Sequence, residues 1–114
     1  MGISDWSDTM LVMNLEDEPA FSEEADLVFK KLDEHPELAP DIVVSLQDVS
    51  HINSSNIAQL LRLRKMLTAR DARMRICCVS THVWSVLLTT GLDKLFTFNE
   101  DVMTAIASLQ IEDA

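Results

Sequence analysis

The chain has 114 residues, of which 47% are hydrophobic, and its formal net charge is −10. This length suits one domain with a single core that needs neither disulfides nor a structural metal. The acidic charge argues against nucleic acid or an anionic membrane as the main partner, because phosphate groups attract clustered lysine and arginine. No signal-peptide pattern and no run near the roughly 20 apolar residues of a membrane span occurs. We therefore expect a cytoplasmic protein without membrane insertion.

The charges are unevenly distributed along the chain. Of the 19 acidic residues, 12 fall within the first 41 positions. Basic residues are concentrated further on, at Arg62, Arg64, Lys65, Arg70, Arg73 and Arg75. This pattern is typical either of ordinary solvated faces or of a basic face for an acidic partner.

The first third of the chain predicts one strand and one helix within a single domain that spans residues 9–114. Residues 1–8 form a polar N-terminal segment, from which Trp6 is expected to dock on the domain. Residues 9–15 are rich in Leu, Val and Met and predict a strand that enters an acidic loop. Apolar residues then recur at helical spacing over 21–32, between Pro19 and Pro36.

The remainder predicts alternating strands and helices. Strands are expected over 42–46 and 74–79, helices over 57–67 and 83–88, and a short strand or extended link over 95–98. Ser80 or Thr81 is expected to cap the third helix and Gly91 to end it. Asn99 is expected to cap a last helix over 102–109. Such alternation predicts an α/β fold with a mainly parallel sheet and helices between its strands.

The two cysteines, Cys77 and Cys78, are neighbours in an apolar run. Successive strand residues point to opposite faces of a sheet, so a bond between these sulfurs is geometrically unfavourable. We expect both residues to be buried free thiols.

Catalytic and metal chemistry find little support in the sequence. The histidines lack a second ligand at metal-binding spacing, and the chain has no Gly-rich phosphate loop, so neither a metal nor another cofactor is expected. Asp48, His51 and Ser54 invite a nucleophile-and-base hypothesis, but no nucleophile elbow surrounds the serine. A receiver domain is a further alternative, in which Glu16, Asp17 and Asp48 would hold Mg²⁺, although the strand count argues against it, because Asp48 follows only the second clear strand. We expect no enzymatic activity.

The tetrad Asn53, Ser54, Ser55 and Asn56 stands where a buried strand gives way to a helix. Unsatisfied amides and the helix dipole favour an oxygen acceptor or an anion there. One hypothesis is that a serine merely caps the helix. The other is that Ser54 is exposed and is phosphorylated by a protein kinase. A phosphate at this position would change a docking surface and leave the helix intact.

The region from Ile42 to Phe96 resembles the STAS domain, which is shared by bacterial anti-sigma factor antagonists and the tails of sulfate transporters. The resemblance rests on the strand at 41–46, residues 48–52, the serine pair, the helix at 57–67, the strand at 75–79 and, most specifically, residues 90–96. It implies a STAS-like fold and a regulatory protein-binding module. Ser54 matches the serine that a kinase doubling as an anti-sigma factor phosphorylates in this family.

The resemblance also implies a docking surface at this junction. Its expected residues are Asn53, Ser54, Ser55, Asn56, Gln59 and Arg62, and its expected partner is a serine kinase or anti-sigma factor. Asn53 replaces the usual Asp, which removes a charge, and Asn56 replaces the usual Gly, which adds a side chain where a partner would approach. The alternatives are a scaffold subunit of a signalling or lipid-transport complex and a small-ligand-binding domain. Dimerisation through an edge strand is a general possibility of open sheets.

Overall fold

A computed structural model of the chain describes residues 3–7 and 9–112, and the side chains of residues 9–111. The predicted docking of Trp6 therefore lies outside the described side chains. Within the described residues the chain forms five strands. They are β1 (Ile3–Ser7), β2 (Met10–Glu16), β3 (Asp41–Asp48), β4 (Met74–Cys77) and β5 (Phe98–Asn99).

Four α-helices and one short 3₁₀ helix connect or follow these strands in the described part of the chain. The α-helices are α1 (Ala20–Glu34), α2 (Ser54–Thr68), α3 (Thr81–Thr89) and α4 (Val102–Glu112). The 3₁₀ helix covers Leu92–Lys94. Within the described residues, no helix combines the length and the apolar character that crossing a membrane requires.

The strands form one sheet in the order β1-β2-β3-β4-β5. β1 pairs antiparallel with β2, and β2 to β5 pair in parallel, with Val12 opposite Val43 and Val44 opposite Ile76. The predicted α/β fold with a mainly parallel sheet is confirmed. The sequence does not predict β1, whose residues lack an apolar alternation, and the domain boundary at residue 9 stays a prediction.

Helices cover both faces of the sheet, because the inner strands carry apolar side chains on both faces. On one face, Leu11, Val44 and Ile76 belong to a large buried cluster with α1, α2 and α3. On the other face, Val43 and Cys77 belong to a smaller cluster with Ala105, Ile106 and Leu109 of α4. The carboxyl ends of β2, β3, β4 and β5 therefore share one edge, which α/β proteins commonly use for binding.

Both predicted ends of α3 agree with the structure, and the predicted start of α4 does not. Ser80 caps α3 by accepting a hydrogen bond from the Val83 amide. Gly91, with φ of 76°, takes the left-handed conformation beyond the end of that helix, as predicted. The predicted cap of α4 at Asn99 is wrong, because Asn99 still belongs to β5; Asp101 Oδ1 accepts from the Thr104 amide at 2.7 Å instead.

Much of the basic cluster has a structural role. The Asp41 carboxylate lies 2.8 Å from the Arg73 guanidinium, and Arg75 is only 7% exposed. Arg70 donates to three backbone carbonyls at the end of α1 and just beyond it, at distances of 2.7 to 3.0 Å. These three of the six basic residues join separate segments of the chain, so they form neither an ordinary solvated face nor a dedicated basic face.

Candidate functional site

The junction of β3 and α2, residues 49–56, is called the corner below. Asn53 is extended, with φ of −111° and ψ of 176°, and is the N-cap of α2. Its Oδ1 accepts from the Asn56 amide at 2.8 Å, while Asn56 Oδ1 accepts from the Asn53 amide at 3.1 Å. This reciprocal pair is a capping box built from two asparagines. The hypothesis that a serine caps α2 is therefore wrong.

Ser54 and Ser55 are the first two residues of α2, and both are exposed. Within the described part of the chain, neither hydroxyl makes a hydrogen bond, because Asn53 and Asn56 already satisfy the capping positions. The serine hydroxyls thus stand at the positive end of a helix dipole with no structural task.

Asn56 lies inside the protein rather than at the surface. It is 1% exposed, and its Nδ2 donates to Gln59 Oε1 at 3.4 Å. Gln59 Nε2 in turn donates to Ser22 Oγ on α1 at 3.0 Å. The side chain that replaces glycine therefore points inward and links the corner to α1, whereas the sequence suggested that it would meet a partner.

Asp17, which follows β2, holds the loop that precedes the corner. Its carboxylate accepts from the Ser50 amide at 2.9 Å, the Ser50 hydroxyl at 2.5 Å and the His51 amide at 3.2 Å. These hydrogen bonds, those from Ser50 first, hold the pKa of Asp17 below its usual value. The sequence did not indicate this role of Asp17, although two parallel strands that end at one edge could have suggested it.

His51 is oriented by its neighbours. Its Nδ1 lies 3.0 Å from Ser50 Oγ, and its ring meets the His82 ring edge-on, with 5.0 Å between centroids. Among the described residues, no hydrogen bond joins Ser54 to Asp48 or His51. The nucleophile-and-base hypothesis thus gains no support from the geometry.

Gln59 and Arg62 extend the surface along α2. Gln59 is half-buried, whereas the Arg62 side chain is 55% exposed. Arg62 is eight positions after Ser54, or about 12 Å along the helix axis at about 1.5 Å per residue. Its guanidinium lies 4.3 Å from the centroid of the Phe29 ring and 3.8 Å from Asp33. The structure groups the tetrad and Gln59 closely and places Arg62 at a distance, against α1.

A small open cavity of about 300 Å³ adjoins the corner, where Asp17, Glu18, His51, Ile52, Asn53 and Asn56 line it. A second open cavity, of about 580 Å³, lies beyond the ends of β4 and β5 and is lined by Cys78, Val79, Trp84, Phe98, Asn99, Glu100 and Thr104. No group of three or more His, Cys, Asp or Glu residues in the described ranges could hold a metal ion, so the alternative with Glu16, Asp17 and Asp48 around Mg²⁺ finds no site.

Comparison with known proteins assigns the family. The sequence profile of the STAS domain matches residues 7–105, so the chain belongs to the STAS domain family. No curated protein matches the sequence. The fold agrees with the assignment, because solved structures of anti-sigma factor antagonists superpose on nearly the whole chain.

Three solved structures illustrate this likeness. A STAS domain protein from Planctomyces limnophilus has a TM-score of 0.79 at 16% identity, covering 95% of this chain and 96% of that one. A variant of RsbS from Moorella thermoacetica has a TM-score of 0.79 at 14% identity, with 100% of both chains covered. The phosphorylated form of the Bacillus cell fate determinant SpoIIAA has a TM-score of 0.71 at 16% identity, covering 94% of this chain and 96% of that one. The chain thus has the fold of the anti-sigma factor antagonists.

Proposed function

We propose that this chain is a regulatory protein-binding module of the anti-sigma factor antagonist type. In this proposal it binds a serine kinase that is also an anti-sigma factor, and phosphorylation of Ser54 controls the complex. Asn53, Ser55, Gln59 and Arg62 contribute to the docking surface, and Asn56 supports it from within. The module acts in the cytoplasm by binding and performs no catalysis.

The observation that carries the proposal is that the Ser54 hydroxyl is exposed and makes no hydrogen bond within the described part of the chain. Asn53 and Asn56 cap α2 between them, and Ser54 is exposed at the first position of the helix. A kinase can phosphorylate this hydroxyl without breaking a hydrogen bond that the fold needs. That SpoIIAA, whose fold this chain shares, has been solved in a phosphorylated form adds support.

The physical consequence of phosphorylation favours a binding switch over a folding switch. A phosphate adds about −1.5 to −2 charge, which the amino end of a helix tolerates well. The same charge is costly at the centre of a fitted interface, because it loses its water there, unless arginines of the partner meet it. The fold therefore persists while the partner is released.

Phosphate mapping tests the proposal. The chain is incubated with Mg-ATP and, in turn, with each serine kinase of the anti-sigma type from the same genome, and the products are analysed by intact mass and peptide mapping. We expect one phosphate on Ser54 in the wild type and in Ser55→Ala, and none in Ser54→Ala. Phosphate on Ser55, or no phosphate with any of these kinases, would overturn the proposal; a kinase that binds the chain but never phosphorylates it would point to the scaffold alternative.

A further inference from the structure

The sulfur atoms of the two adjacent cysteines lie closer together than the alternation of side chains along a strand would place them. The Sγ atoms of Cys77 and Cys78 are 3.5 Å apart, although the sequence predicts that they point to opposite faces of the sheet. That prediction fails because β4 ends at Cys77. Cys78 follows it with φ of 62°, in the left-handed region that bulky residues rarely enter. The turn in the backbone brings the second sulfur back beside the first.

The two thiols differ in access to solvent. Cys77 is fully buried under α4, whereas Cys78 is half-buried and lines the cavity of about 580 Å³. Burial first, and then the neighbouring Cys78, raise the pKa of Cys77 to about 12. A small reagent can therefore reach Cys78 through the cavity, while Cys77 is reached only through Cys78.

The geometry points to a redox modification site at this pair, at which a low-molecular-weight disulfide converts Cys77 and Cys78 into a vicinal disulfide. The Cys78 thiolate attacks one sulfur of the reagent, and the other sulfur leaves as a thiol after taking up a proton. Cys77 Sγ then loses its proton and attacks Cys78 Sγ, which releases the second half of the reagent as a thiol. Two electrons pass from the protein to the reagent, and a single bond joins the cysteines.

The short distance between the sulfurs favours closure of the bond, and its strain favours reduction. Closing the gap of 3.5 Å to the length of a disulfide, about 2.05 Å, needs only local movement, and the second step is intramolecular. Cα atoms of neighbouring residues are about 3.8 Å apart, which is shorter than the usual separation across a disulfide. The resulting strain favours reduction, and labile disulfides of this kind are the regulatory ones.

The experiment uses the full reduced chain and glutathione disulfide as the reagent, with intact mass as the readout. We expect the wild type to lose two hydrogen atoms and to recover them with dithiothreitol. Cleavage after Arg75 and Lys94 then yields one peptide, 76–94, in which neither cysteine can be alkylated. The Cys77→Ser and Cys77→Ala variants should instead keep one glutathione on Cys78, because the resolving thiol is missing.

Cys78→Ser provides the matched control for access. It should remain unmodified in the folded state and become modified in denaturant, because Cys77 is fully buried. A wild type that keeps a stable glutathione adduct, forms a disulfide-linked dimer or does not react would overturn the inference. Equal reactivity of Cys77 and Cys78 in the folded single variants would do the same.

Discussion

Asn53 and Asn56 each accept a hydrogen bond from the other's backbone amide, at 2.8 and 3.1 Å, and this exchange frees the serines between them. Both residues depart from the tetrad usual in the resembled family, in which Asp and Gly occupy their positions. The side-chain oxygen of Asn56 accepts from the Asn53 amide, and glycine has no side chain that could do so. Asn56 also connects the corner to α1, through hydrogen bonds by way of Gln59 to Ser22.

The capping role of Asn53 can be tested against the residue usual in the family. Asn53→Ala should lower the free energy of unfolding by about 1 kcal/mol, because it removes the acceptor for the Asn56 amide. Asn53→Asp keeps an acceptor and adds a charge that the helix dipole favours, so it should unfold at no lower urea concentration than the wild type. Urea denaturation checks both, and an Asp variant as unstable as the Ala variant would contradict the capping assignment.

The absence of a structural task for the Ser54 hydroxyl makes a separate prediction. Ser54→Ala should change the free energy of unfolding by less than about 0.5 kcal/mol. Ser80→Ala is the matched control, because Ser80 accepts from the Val83 amide at 3.3 Å, and its loss should cost about 0.5–2 kcal/mol. Equal losses for the two variants would show that Ser54 serves the fold.

The sequence predicted a mainly parallel sheet, without its strand order, and it predicted the helices well. Long amphipathic helices, such as α1 and α2, can be predicted because their apolar residues recur at helical spacing on the buried face. β1 was not predicted because it lies at the edge of the sheet, where pairing with β2 forms the strand without an alternating apolar pattern. The cap of α4 was misplaced by two residues because Asn99 and Asp101 are both good caps, and only the extent of β5 decides between them.

Arg70 should be among the residues on which stability depends. Its guanidinium donates to the carbonyl oxygens of Leu32, His35 and Leu38 at 2.7 to 3.0 Å. We expect Arg70→Ala to lower the free energy of unfolding by about 1.5–3 kcal/mol, the range for hydrogen bonds to charged groups. Lys65→Ala, on the exposed face of α2, is the control and should change it by less than about 0.5 kcal/mol. Chemical denaturation that ranks the two alike would contradict this structural role.

The Asp17 loop predicts a dependence of stability on pH. The pKa of Asp17 is lower in the folded protein than the usual value of an aspartate, since Ser50 and His51 donate hydrogen bonds to the carboxylate. A carboxyl group whose pKa is depressed by folding stabilises the protein above the unfolded value and loses that effect as pH falls through the folded value. The wild type should therefore be more stable than Asp17→Asn at neutral pH, and the difference should shrink below about pH 4.

Denaturation curves at several pH values measure that difference directly. Asp101→Asn is the matched comparison, because hydrogen bonds from Thr104 also lower the pKa of Asp101, at the start of α4 and away from the corner. Both variants should converge on the wild type in acid. A difference for Asp17→Asn that stays constant from neutral to acid pH would show that its hydrogen bonds do not depend on the charge.

Parts of the candidate site could not be derived from sequence for a physical reason. The tetrad was found because a strand-to-helix junction has local signals, and Ser54 was singled out by the residues around it. The inward orientation of Asn56 depends on the packing of α2 against α1, and the contact of Asp17 with Ser50 depends on pairing between β2 and β3, across about thirty residues of chain. The closeness of Cys77 and Cys78 depends on a single positive φ, which no propensity predicts for cysteine.

The affinity of the partner kinase for two forms of this chain tests the central claim most directly. The unmodified chain and the chain phosphorylated on Ser54 are purified, and each is titrated with the kinase by isothermal calorimetry, after circular dichroism has shown that both are folded. A phosphorylation switch at Ser54 predicts a Kd at least about tenfold higher for the phosphorylated form, equivalent to about 1.4 kcal/mol. Equal affinities, or tighter binding of the phosphorylated form, would contradict it.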